Sequence, residues 1–372
     1  MIKDYESKNI FNADETALFY KAMPNKTMFY KNLPANHVKV DKERLSVLFC
    51  ANMSGTEKLK PIVIGKSENP RCLKDINKAN LPVEYRHNTR AWMTDCIFRE
   101  WLLKIDKYFK SLDRNVLLFL DNFSGHCNDD KITKKKQTKE PLKLTNIKLH
   151  FFPANCTSVL QPMDQGIIQS FKMKYRRSIV EDKLEALNTD STMPELNVLF
   201  AINKIHKCWK EITVSTIKHC FHKGGFKHLS LNVNDVIVDV DMNNEKEVFK
   251  AKWALLNNKQ GTFDFNQFQY VSIDDNLECH GELTDEQIVE AVQASAQSHF
   301  INDKAIDDED SNDQFTPVIS TATAMTYLNS IRLYFLQSKD DTSEFLLSLE
   351  KMETFLDSKR VFCQKSIIDY IV

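Results

Sequence analysis

Apolar positions in the first 155 residues fall into short runs separated by turn residues, and five of these runs read as strands. They lie at 10–12, 45–51, 59–64, 116–120 and 147–152, each rich in β-branched or aromatic side chains. Met53-Ser54-Gly55-Thr56, between the second and third runs, carries turn chemistry and predicts a hairpin. Between the third and fourth runs the period changes from two to about 3.6. Ile97, Trp101, Ile105 and Tyr108 fall on one face, which predicts a helix over 94–109 capped by Thr94. Further helices are expected from Asp164 to about residue 187, over 196–209, and over 214–221, where Gly224-Gly225 stops the last. After residue 231 the pattern weakens. A helical period returns over 284–292, an acidic run over 306–313 reads as a solvated linker, and 323–355 has room for two helices.

The predicted organisation is an α/β domain over 1–230, an acidic and partly helical linker region over 231–315, and a helical C-terminal segment over 316–372. With 372 residues and 42% hydrophobic content the chain can bury a sizeable core. The net charge of −1 conceals a segregation. Residues 1–230 hold 39 Lys and Arg against 25 Asp and Glu, whereas 231–372 hold 11 against 26. A basic first part suits a polyanionic partner, and an acidic second part suits screening or protein partners. The nine cysteines are odd in number and contain no Cys-x-x-Cys pair, which favours reduced thiols inside a cell. No apolar stretch approaches the roughly 20 residues of a membrane-spanning helix, so no membrane partner is expected.

Three aspartates stand at the ends of strands or the start of a helix: Asp14, Asp121 and Asp164. Any one alone is most simply a turn former or an N-cap. Together, two follow predicted core strands and the third opens a helix that should pack beside them. Mg²⁺ prefers oxygen ligands and is typically held by one or two carboxylates plus substrate phosphate. Two such ions can clamp the attacking and leaving oxygens of a phosphodiester displacement. Glu15 and Asn122, next to two of the aspartates, are candidate secondary ligands. Candidate phosphate contacts are Lys134, Lys135 and Lys136, in a lysine-rich stretch that also reads as a nuclear localisation signal, and Lys172, Lys174, Arg176 and Arg177 on the helix after Asp164.

The blocks around these aspartates resemble a known family. Asn12-Ala13-Asp14-Glu15-Thr16, Leu120-Asp121-Asn122-Phe123-Ser124-Gly125-His126 and the long run from Phe152 through Gln161-Pro162-Met163-Asp164-Gln165-Gly166 to Ile168 are similar to the DDE superfamily endonuclease domain. The resemblance is to its pogo/Tigger branch, which includes jerky-like and centromere protein B-like relatives. It implies an RNase H-like fold, a mixed sheet of three strands, helix, strand, helix, strand and then helices, and covers about residues 8–230 and, more weakly, 268–292; the helical and acidic C-terminal region that follows is read from the pattern alone. It implies Asp14, Asp121 and Asp164 as catalytic and metal-holding residues, two Mg²⁺ or Mn²⁺ ions, and cutting and joining of DNA. The expected partner is DNA in the nucleus, with a homodimer and protein partners of the acidic region as further contacts. Relatives of this kind carry helix-turn-helix modules upstream, and Met1 lies only 13 residues before Asp14. A core without such modules is expected to hold DNA through phosphates and without useful sequence preference. The alternative reading is a domesticated, catalytically idle chromatin-binding protein that uses the core as a scaffold.

Overall fold

A computed structural model of the chain describes residues 2–24, 43–121, 142–153, 157–226, 238–261, 263, 265–275, 277–279, 321–338 and 340–358. Its centre is one six-stranded sheet in the order β4-β3-β2-β1-β5-β6. The strands are β1 (Ile10–Leu18), β2 (Leu45–Asn52), β3 (Ile62–Gly65), β4 (Glu84–His87), β5 (Val116–Leu120) and β6 (Ile147–Phe151). β1, β2 and β3 run antiparallel to one another, while β5 is parallel to β1 and β6 parallel to β5. Without β4 this is the RNase H-like order expected from the sequence. β4 is an added edge strand, parallel to β3, that the hydrophobic pattern did not announce.

Two differences from the sequence reading bear on the site. β1 extends to Leu18 rather than ending at Asn12, and all nine of its residues are buried. Its second half, Asp14-Glu15-Thr16, is polar, so an apolar-run criterion stops too early. β3 begins at Ile62 because the preceding Pro61 has no N–H for a ladder, although Lys58 still forms an isolated bridge with Ala51.

Helices cover both faces. α1 (Asp95–Ser111) is capped by the Thr94 hydroxyl, which accepts from the Ile97 N–H at 3.5 Å. Its inward stripe is Phe98, Trp101, Leu102, Ile105 and Phe109, and Tyr108 faces outward. These side chains pack on Phe11, Ala13, Leu48, Cys50 and Leu118 of the sheet. On the opposite face lie α2 (Ile168–Asn188), α3 (Val198–Lys210) and α4 (Val214–Lys223). Phe49 of β2 meets Phe171 of α2 at 4.5 Å and Trp209 of α3 at 4.4 Å between ring centroids. Lys58 reaches from the sheet to the C-terminal end of α3, where its Nζ donates to the carbonyls of Trp209, Lys210 and Ile212 at 2.7–2.8 Å. That is where a helix leaves carbonyls without partners and favours a cation.

The compact unit does not end at residue 230. α5 (Val238–Gln260) and α6 (Gln267–Val271) follow, and Phe249, Trp253, Leu256 and Tyr270 form a second core with Phe19, Met173, Val180 and Leu184. This unit comprises residues 1–72 and 82–292; a second comprises 73–81 and 293–372. The second unit contains α7 (Thr321–Gln337) and α8 (Ser343–Ser358), joined by stacking of Phe335 on Phe345 and by an Arg332–Glu353 ion pair. The helical period at 284–292, the acidic run at 306–313 and the helix expected between the fourth and fifth strands lie outside the described residues.

Candidate active site

Asp14 sits in the middle of β1, opposite Phe49 of β2, with 8% of its surface exposed. Its Oδ1 accepts the Glu15 N–H at 2.8 Å. The parallel ladder between β1 and β5 runs to the rung Asn12↔Phe119. Asp14 and Asp121 each follow two residues later, so the register sets them side by side, Asp121 half-buried just past the end of β5. Asp164 arrives from the other direction. It belongs to a wide helical turn, Met163–Ile167, that precedes α2 and is closed by the Ile168 N–H on the Met163 carbonyl. Such wide turns occur mostly as isolated insertions in helices, often at functional sites. Gly166 makes this one passable, since its φ of 140° lies where side chains are rarely tolerated, and a Cβ there would sit 3.4 Å from the Cys220 Sγ.

The carboxyls act on one another. Burial, followed by the charges of Asp164, Glu15 and Asp121, pushes the Asp14 carboxyl well above the usual carboxylate range, while the neighbouring Gln161 amide works the other way. Asp164 is also raised, first by burial and then by Asp121, against a hydrogen bond with Asp14 that opposes the rise. One side of Asp164 faces solvent, so its rise is the smaller of the two. The arrangement crowds like charges at a largely buried edge, which disfavours ionisation of all the carboxyls together.

All the donors are hard carboxylate oxygens in an electronegative pocket, which suits Mg²⁺ or Mn²⁺ in kind. Among the described residues, however, no three acidic, histidine or cysteine side chains are gathered tightly enough to encircle an ion by themselves. Beside Asp164 and Glu15 opens a cleft of about 630 Å³, whose other walls include Gln169, Lys172, Asp275 and Cys279. The far wall comes from the segment after α6, beyond the predicted end of the domain.

Three of the four basic residues expected to meet phosphate on α2 point inward. Lys172, Lys174 and Arg176 are 4%, 5% and 0% exposed. Lys172 Nζ lies 2.8 Å from Asp274 Oδ1 and 2.6 Å from Asp275 Oδ1. Lys174 pairs with Glu245, and Arg176 pairs with Asp274 while donating to the Phe19 carbonyl at 2.8 Å. The remaining acceptor capacity of Asp274 takes the Phe19 N–H at 3.0 Å. These cations are therefore engaged with the buried Asp274 and the more accessible Asp275 and Glu245. Arg177 is partly buried between Glu181 and Glu211, at 3.5 and 3.8 Å. Asn122 and Lys134, Lys135 and Lys136 lie outside the described residues. Asp274 and Gly166 were not singled out from the sequence. Asp274 carried a signal in its position directly after the largely apolar Phe268-Gln269-Tyr270-Val271-Ser272-Ile273 stretch, where an acid is more easily buried than in a solvated linker.

Comparison with known proteins adds an independent observation. Residues 42–221, which include Asp121 and Asp164, match a family described as DDE superfamily endonuclease. The chain is 30% identical over 365 residues to Tigger transposable element-derived protein 4 of Mus musculus, the alignment covering 96% of this chain and 66% of that protein. It is 28% identical over 369 residues to CENP-B homolog protein 2 of Schizosaccharomyces pombe, covering 97% and 67%. The chain thus spans about two thirds of the length of these curated relatives. The crystal structure of the Mos1 mariner paired end complex with Mn superposes with a TM-score of 0.30 at 13% identity, over 62% of this chain and 60% of that one.

Proposed function

This chain belongs to the DDE endonuclease superfamily, in its pogo/Tigger transposase-derived branch, and we propose that it cuts and joins DNA with Asp14, Asp121 and Asp164 as the reacting centre. The observation that supports this most is the backbone geometry: the β1–β5 register sets Asp14 beside Asp121, and the turn that carries Asp164 is tied to β1 through the Met163 N–H on Asn12.

A bound Mg²⁺ or Mn²⁺ pair would supply charge stabilisation at the phosphoryl oxygens and a more acidic water. The residues have separable tasks around that chemistry. Asp14 on β1 and Asp121 just past the end of β5 would hold one edge of the site, and Asp164 would close it from the helical turn. Glu15, 6% exposed, pushes the Asp14 carboxyl further up and adds to the negative charge that a cation would neutralise. In the hydrolytic step a water oxygen bonds to phosphorus and the P–O3′ bond breaks, leaving a 5′-phosphate and a free 3′-hydroxyl. In the joining step that hydroxyl oxygen bonds to the phosphorus of a second phosphodiester and displaces its 3′-oxygen, which leaves as a new 3′-hydroxyl. The nucleus follows as the place of action from the substrate.

The test is nicking of supercoiled plasmid by the purified chain with Mn²⁺ or Mg²⁺. Asp121→Ala and Asp164→Ala are expected to abolish nicking while leaving a cooperative thermal transition. A wild-type protein that binds Mn²⁺ and DNA yet leaves every phosphodiester intact would overturn the enzymatic reading in favour of an idle DNA-binding scaffold.

A further inference from the structure

Asn12 is fully buried inside β1, an environment in which asparagine is disfavoured unless its amide is used. Its Nδ2 donates to the Phe119 carbonyl of β5 at 3.0 Å, and its Oδ1 accepts the Met163 N–H at 2.9 Å. A longer contact from Nδ2 reaches the Ala13 carbonyl at 3.5 Å. The two main partners are backbone groups of fixed polarity, so the orientation of the amide is determined: nitrogen toward β5 and oxygen toward the helical turn. Each partner stands one or two residues before an aspartate. Phe119 precedes Asp121 by two, Met163 precedes Asp164 by one, and Asn12 itself precedes Asp14 by two. One side chain therefore ties together all three segments that deliver the carboxyls.

We propose that Asn12 is the positioning residue of the aspartate site, setting Asp164 against the Asp14–Asp121 pair through its paired donor and acceptor. The role in metal holding rests on the reaction proposed above; the brace itself does not. No other side chain of this size performs both tasks. Aspartate keeps the acceptor for Met163 and loses the donor for Phe119, leucine loses both, and glutamine is a methylene too long. The Met163 N–H is also the first donor of the helical turn, where no backbone carbonyl within the turn is available to it. Without Asn12 this turn loses the hydrogen bond that anchors its first backbone N–H to the sheet, and Asp164 gains freedom to drift from its partners. Outer hydrogen-bond partners of metal ligands act in the same way, and their loss typically costs about 10–100-fold in metal affinity.

The experiment compares wild type with Asn12→Leu and Asn12→Asp in the full chain, and uses Asn52→Leu as the control. Asn52 is equally buried on the neighbouring strand, but it binds the Lys8 carbonyl, the Thr56 hydroxyl and the Glu57 N–H, away from the aspartates. Two readouts are taken on protein that retains a cooperative melt. In ¹⁵N-methionine-labelled, metal-free protein, hydrogen exchange of the Met163 amide is expected to accelerate at least tenfold in Asn12→Leu, and to stay near wild type in Asn12→Asp and Asn52→Leu. Mn²⁺ affinity, followed by water-proton relaxation, is expected to fall about 10–100-fold in both Asn12 variants and less than threefold in Asn52→Leu. Unchanged Met163 exchange in a folded Asn12→Leu protein overturns the brace. Equal loss of Mn²⁺ affinity in Asn52→Leu overturns its positional character. Should wild type take up no Mn²⁺, the metal reading fails, and Met163 exchange still decides whether Asn12 holds the turn.

Discussion

Asp274 is the acid on which the compact unit turns, and removing it offers a direct measure of how far that unit extends. Asp274→Ala leaves Arg176 with no anion, deprives Lys172 of its buried partner and strips the Phe19 N–H of its acceptor. Arg176 is 0% exposed, so water does not reach it to compensate. Breaking a buried pair by removing one partner costs about 3–5 kcal/mol. The orphaned Phe19 N–H adds to this, though not additively, so the lower figure is a safe floor. In a unit of this size 1 kcal/mol corresponds to about 2–4 °C, giving an expected fall in Tm of about 6–20 °C. The neighbouring Asp275→Ala provides the contrast. It removes the other Lys172 partner, whose side chain is 54% exposed, and such pairs are worth about 0–1 kcal/mol. All four tryptophans, Trp92, Trp101, Trp209 and Trp253, lie in this unit, so tryptophan fluorescence during a thermal ramp reports on it and not on the C-terminal helices. The combination Lys172→Met, Arg176→Met, Asp274→Leu should recover most of the loss, because a buried ionic cluster replaced by apolar groups of similar volume is often neutral. A Tm for Asp274→Ala within about 2 °C of wild type, well under the floor set by a buried pair, would refute the reasoning.

Three further outcomes are expected. Gly166→Ala should destabilise the chain by about 1–3 kcal/mol in urea unfolding, the ordinary cost of a strained backbone, and should weaken Mn²⁺ binding as Asp164 shifts. In EDTA, wild-type stability should decline as pH rises from the ordinary aspartate range toward neutrality, because the folded Asp14 holds its proton where the unfolded one has released it; Asp14→Asn should flatten this slope and raise the Tm at pH 7. Asp106 has the opposite sign: burial pushes its carboxyl up, but the N–H groups of Asn146, Thr145 and Ile147 and the Thr145 hydroxyl outweigh this and hold it low. It therefore contributes stability that is present above the usual aspartate pKa and is lost as pH falls through its own lowered value, and Asp106→Ala should cost about 1.5–3 kcal/mol at pH 7 with little further loss on acidification.

The sequence made the three aspartates legible because each borders a distinctive block, and the order of strands and helices followed from where period two gives way to period 3.6. What escaped it depended on distance. The second half of β1 is polar by composition and buried only because other segments cover it. α2 reads as a basic, exposed face since Lys172, Lys174 and Arg176 look like surface residues until Asp274, about a hundred positions later, is seen to neutralise two of them. On α1 the expected stripe holds at Trp101 and Ile105, with Ile97 packed at its edge, but Tyr108 faces outward and Phe98, Leu102 and Phe109 complete the contacts. Asn12 was quoted as part of a block, but its task exists only once β5 and the helical turn have both come alongside it.

The strand pair that carries Asp14 and leads into Asp121 and the turn that carries Asp164 differ in how freely they can change over evolutionary time. Neighbouring strands are spaced at about 4.8 Å by their backbone ladder, whatever side chains they bear. That arm of the site is therefore inherited unchanged by any variant that keeps the sheet. The other arm hangs on a glycine-dependent turn and a single amide. Divergence in the spacing of the site, and with it in the reactions the fold can host, is channelled into the few positions from Gln161 to Gly166, where a small alteration moves one carboxyl and leaves the other two in place.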